Sequence, residues 1–139
     1  MFRRTLVPVD FTPKNERSLA VASELAAGEG GELLLLHVVE TLEDELDDDL
    51  DAFYRRLAER AQERLNALLA RLGEAAFARR GEVVLGHRAR AIVAYAEREQ
   101  VDLIVLSSHR VDPDRPGSDW VTISHKVAIL ARCPVLLVK

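Results

Sequence analysis

The chain has 139 residues, enough for one domain with a real core, and its 48% hydrophobic and 30% charged residues are the mix of an ordinary globular protein. The net charge of −4 argues against nucleic acid or an anionic membrane surface as partner, and no apolar run reaches the length of a membrane span. The single cysteine, Cys133, excludes an internal disulfide, and a cytoplasmic location is the expectation.

In chain order, the opening "MFRRTLVPVDFT" has too short an apolar part for a signal peptide and is broken by Pro8 and Asp10. Residues 3–10 read as a first strand, with Pro8 near the end of pairing because it has no N–H to give a ladder. Thr12 followed by Pro13 reads as an N-cap and a first helical residue; Leu19, Ala22, Leu25 and Ala26 then recur at helical spacing, and Gly28, Gly30 and Gly31 end the helix. "ELLLLHVVE" (32–40) is apolar on both faces, as a buried parallel strand should be. An acidic connection (41–51) leads to the longest helix, expected at 52–74 with Gly73 near its end. A third strand (79–86), a third helix (89–100), a fourth strand (101–108), a fourth helix (120–132) and a fifth strand (133–139) complete the chain. This alternation with apolar strands predicts an α/β fold: one domain over residues 1–139, an open, doubly wound five-stranded parallel sheet with helices on both faces. Ligands of such sheets sit beyond the C-terminal strand ends near the topological switch point. Asp10, His37, Val38, Ser107, Ser108 and His109 stand at or near such ends.

Several motifs are weaker than they look. A receiver domain would need acidic residues beside Asp10 and an aspartate ending the third strand, where Leu85 and Gly86 stand. Ser107, Ser108 and His109 are not a nucleophile–base pair by adjacency, because successive strand residues point to opposite faces, and the nucleophile-elbow glycines are missing. His37, His109 and His125 lack short metal-ligand spacing, so no metal site is expected. Glu43–Asp51 holds seven carboxylates in nine residues without the glycine or spacing of a calcium loop; its tail is expected to open the long helix, where negative charge complements the dipole. "AAGEGGE" ends a helix and precedes a strand, the reverse of a phosphate loop. Cys133, before Pro134, reads as a small core residue.

"TLVPVDFTPKNERSLAVASELA", "ELLLLHVVE", "VDLIVLSSH" and "KVAILARCPVLLVK", in this order, resemble the universal stress protein family along almost the whole chain. That family comprises small α/β stress proteins, commonly dimers, in which one branch binds ATP and another does not. The resemblance implies that Asp10 would touch ribose and the backbone of Val38 adenine. It also implies a phosphate motif of Gly, two residues, Gly, nine residues, Gly and Ser or Thr. Ser107 and Arg110 stand where the first two glycines belong, with His109 between them, and Val121 and Thr122 on the final pair if one residue is inserted. Only the Thr122 hydroxyl survives. Glycine lets backbone N–H groups approach phosphate closely. Arg110 and Val121 add side chains there, and Pro113 and Pro116 remove donors. Asp112, Asp114 and Asp119 bring negative charge, and Asp119 or Ser118 could cap the following helix. The expectation is a non-enzymatic homodimer, paired through the C-terminal edge strand 134–139, with a pocket altered towards weak or no ATP binding and no cofactor. The alternative is an adenine-nucleotide-binding or weakly ATP-hydrolysing protein using a modified 107–122 loop.

Overall fold

A computed structural model describes residues 2–27, 30–41, 47–72, 78–108, 114 and 122–139. Strands β1 (Arg4–Pro8), β2 (Glu32–Glu40), β3 (Ala78–Gly86), β4 (Leu103–Ser107) and β5 (Val135–Val138) alternate with helices α1 (Lys14–Ala26), α2 (Asp48–Arg71), α3 (Arg88–Arg98) and α4 (Ile123–Leu130). The sheet is entirely parallel, in the order β3-β2-β1-β4-β5. The chain therefore winds outward from the central β1 in one direction, then returns to its other side with β4. The switch point lies between β1 and β4.

The alternation of side chains in the central strands explains the two layers. Leu6, Leu34, Leu36, Ile104 and Leu106 face Ile92, Tyr95 and Val127 of α3 and α4. Val7, Leu33, Leu35, Leu103 and Val105 face Leu19 and Ala22 of α1 and Leu65 of α2. Leu33–Leu36 are all fully buried because β2 is covered on both faces. α2 can lie close on β3 because Gly81 has no side chain: a Cβ there would come within 2.9 Å of Leu65. Gly31 meets a harder limit, since its Cβ would fall 2.0 Å from the Ala26 carbonyl oxygen where α1 turns into β2.

Element boundaries differ from expectation where local chemistry competes. Thr12 does not cap α1 with its side chain; Pro13 holds the cap position, and the Thr12 hydroxyl turns back to Asp10 at 2.6 Å. α2 starts earlier than expected because Asp47 caps it, its side chain accepting from the Leu50 N–H at 2.8 Å. Asp48, Asp49 and Asp51 fill the first turn, so the tail of the acidic run does open the helix. α4 is shorter than 120–132: Thr122 caps it, and the backbone is extended from Ala131, ahead of Pro134. Gly73 lies outside the described residues.

Candidate functional site at the switch point

At the C-terminal end of β1 the chain makes a tight polar turn. The Asp10 carboxylate accepts from the Thr12 N–H at 3.0 Å and from the Thr12 hydroxyl at 2.6 Å. The Asp10 N–H donates to Oδ1 of the buried Asn15 at 3.0 Å. Partial desolvation pushes the Asp10 carboxyl upward; the hydrogen bonds from Thr12 and the field of Arg88 outweigh it and hold it below its ordinary value. Between them, Phe11 adopts φ +63°, a conformation costly for a bulky residue. Its ring lies 4.5 Å from the His37 ring, and the Arg64 guanidinium stands over it, 4.4 Å from its centroid.

His37 is held just as firmly. Its Nδ1–H donates to the Val9 carbonyl at 2.8 Å, which fixes the tautomer. Burial pushes its pKa down, and the nearby Arg88 and Arg64 add to this against the opposing pull of the Val9 carbonyl. The ring is therefore neutral at neutral pH.

Across the switch point, Ser107 ends β4. Its Oγ lies 3.1 Å from the Lys14 carbonyl and 2.9 Å from Ser18 Oγ, and accepts from Asn15 Nδ2 at 3.3 Å. The side chain thus joins the end of β4 to the first turns of α1. Thr122 is equally committed: its Oγ1 accepts from the His125 N–H at 3.3 Å and lies 3.0 Å from Ser124 Oγ. It caps α4, the task assigned from sequence to Asp119 or Ser118, which lie outside the described residues.

These elements enclose a recess of about 110 Å³, lined by Asp10, Asn15, His37, Val38, Leu106, Ser107 and Ser124 together with Arg88, Ile92 and Ile123. The structure brings Asp10, Val38 and Ser107 to one cavity. Thr122 stands behind it as a cap and does not line it. His109 and Arg110 lie outside the described residues, as do Arg115, Gly117 and Val121. Among the described residues, no three His, Cys, Asp or Glu side chains converge as a metal site would require. Cys133 packs against the α3–α4 core, and its partial burial pushes its thiol pKa up.

Among the polar members of the recess, sequence reasoning missed Asn15, Arg88 and Ser124. Asn15 was detectable as a polar, poorly helix-forming residue in the first turn after a strand end. Arg88 was detectable by position, since it follows Gly86 at the end of β3, and all strand ends face the same side. It forms an ion pair with Glu40 at 3.2 Å and enters the recess from the start of α3.

An open parallel sheet with a polar recess at its switch point is a doubly wound α/β architecture. The whole chain, residues 1–139, matches the model of the universal stress protein family, and the chain belongs to that family. Among solved structures, it is similar to the hypothetical protein MJ0577, whose biochemical function was assigned from its structure: 26% identity, 100% of this chain and 96% of that one, TM-score 0.85. The universal stress protein UspA of Lactobacillus plantarum shares 21% identity over 99% of this chain and 97% of its own, with a TM-score of 0.70. The universal stress protein of Archaeoglobus fulgidus, solved in complex with dAMP, shares 18% identity over 99% and 98%, with a TM-score of 0.70. No curated protein matches the chain at a significant level.

Proposed function

We propose that this chain is a non-enzymatic, homodimeric universal stress protein of the cytoplasm whose pocket receives an adenine nucleotide weakly and does not hold the triphosphate of ATP. One observation carries this: the side chains standing where the family's phosphate motif begins and ends are already bonded within the protein. Ser107 is tied to α1, and Thr122 to the N-terminus of α4. A helix start with one of its free N–H groups already capped has less to offer a phosphate.

The nucleoside end of the pocket is better preserved. Asp10 stands at the rim and Val38 in the wall of the recess, and a relative of the same fold is complexed with dAMP. This supports the second reading, binding of an adenine nucleotide, for the nucleoside part. Among the described residues, no hydrogen bond of the recess joins a nucleophile to a base: the Ser107 hydroxyl is engaged with Lys14, Ser18 and Asn15. Calorimetry with ATP tests the proposal. The expected result is weak binding and no hydrolysis; micromolar or tighter ATP binding that depends on Asp10 would overturn it.

The dimer rests on β5. This strand ends the sheet beside β4, and among the described residues no strand pairs with its outer edge. Exposed apolar side chains flank that edge: Ile129 (71%) on α4 and Leu136 (38%) on β5. A two-fold axis at the edge would satisfy both copies at once. Light scattering should give a dimer, and Leu137→Pro a monomer or aggregates. A wild-type chain that stays monomeric at high micromolar concentration would refute this assembly.

A further inference from the structure

The recess is small for its task. Ligand pockets run to roughly 300–1,000 Å³, whereas this one offers about 110 Å³. Beyond Arg88, however, lies a second depression of about 380 Å³, lined by Glu40, His87, Arg88, Ala89, Arg90, Ile123, Lys126 and Leu130. Arg88 and Ile123 line both spaces, so the hollow adjoins the recess.

The chemistry of the second space is distinctive. In a protein of net charge −4, its walls carry Arg88, Arg90 and Lys126 against the single carboxylate of Glu40. Glu40 pairs with Arg88. Arg90 and Lys126 have no ion-pair partner among the described residues, and both are exposed. α3 also begins here, with His87 at its cap position. Two helices from different parts of the chain thus bring cations to one hollow beside the nucleoside recess.

We propose that this α3–α4 hollow is an anion subsite, and that a nucleotide in the recess directs a single phosphate group towards Arg88, Arg90 and Lys126 instead of towards the 107–122 loop. The inference rests on the recess accepting the nucleoside part. It assigns the phosphate a position between the starts of α3 and α4. The preferred ligand class becomes the nucleoside monophosphate, whose compact dianion suits three cations carried on exposed side chains.

Titration calorimetry at low salt with AMP, adenosine and inorganic phosphate tests this. AMP should bind about tenfold or more tightly than adenosine, with the advantage shrinking as salt is raised. Lys126→Ala and Arg90→Ala, which leave the recess lining intact, should each weaken AMP by about 3- to 10-fold and leave adenosine unchanged. Lys126→Arg should retain most of the AMP affinity. If adenosine and AMP bind equally, or if the AMP advantage survives the double variant, the subsite is refuted while the nucleoside recess stands. If neither AMP nor adenosine binds at millimolar concentration, both fall. Binding of AMP lost on Asp10→Ala but unmoved by Lys126→Ala and Arg90→Ala also refutes the subsite.

Discussion

The two ends of the sheet are built to opposite plans. At the N-terminal end the charges are largely matched. Arg4 pairs with Glu32 at 3.2 Å, Arg80 bridges Glu32 and Glu99 at 2.9 and 2.6 Å, and Arg98 joins Glu82 and Glu99. The Asp102 carboxylate accepts the N–H groups of Arg3 and Arg4. At the C-terminal end the backbone turns are tightly satisfied, yet Arg90 and Lys126 remain without an ion-pair partner among the described residues, beside a cavity. The strands that join these ends are the same. One end thus carries a connected ion-pair network, whereas at the other two exposed cations stand beside a hollow.

The comparison assumes that both ends hang on one rigid core, and the largest expected effect tests that. Leu65→Ala removes a fully buried side chain beneath α2 and should cost about 2–5 kcal/mol. Chemical denaturation should show the loss as a single transition; two separate transitions would mean that the ends unfold independently. Next, Asn15→Ala strips the recess of a buried amide that joins the Asp10 N–H to Ser107, for a loss of about 1–3 kcal/mol. Any nucleoside affinity should fall with it. An unchanged denaturation midpoint would show that the polar turn is not structural.

At the opposite end, Arg80→Ala should lower the melting temperature modestly. The deficit should shrink at high salt, where the Debye length drops to about 3 Å. It should leave AMP binding untouched; a ligand effect would blur the division between the ends. The smallest effect concerns pH. The folded pKa of His37 lies below its ordinary value of about 6.5, so on acidification the unfolded chain takes up this proton first. The contribution of His37 is therefore intact above about pH 6.5 and declines as pH falls from there towards the folded pKa. His37→Gln should flatten the stability profile in that window, and an unaltered slope would remove His37 as its source.

The fold was legible because the strands are written in leucine and valine. "LLLL" at 33–36 reads as a strand buried on both faces, and the structure covers it on both. Helix starts were less legible, since side chains that cap in principle had other partners: Thr12 was captured by Asp10, while Asp47 took a role that the acidic run obscured. At the site, Asp10 and Val38 follow from strand-end position and family resemblance. Ser107 ends β4, a strand-end position legible in the sequence, but its bonds to Lys14, Ser18 and Asn15 cross some ninety residues of sequence, which no local pattern encodes. Arg88 escaped notice for a related reason: its value lies in being shared by two cavities, a property of packing and not of spacing.

The glutamates at the two ends of β2 have a further consequence for the chain before it folds. "LLLLHVV" is a stretch of high β-propensity and hydrophobicity without charge or proline, the composition that drives intermolecular strand pairing. Glu32 and Glu40 bracket it, and in the unfolded chain a charge on each flank opposes stacking of one copy on another. After folding, the same two side chains are retained by Arg4, Arg80 and Arg88. Refolding by dilution should accordingly yield more aggregate, detectable as turbidity, when both are replaced by glutamine than when the Arg80 that pairs with Glu32 is replaced by alanine.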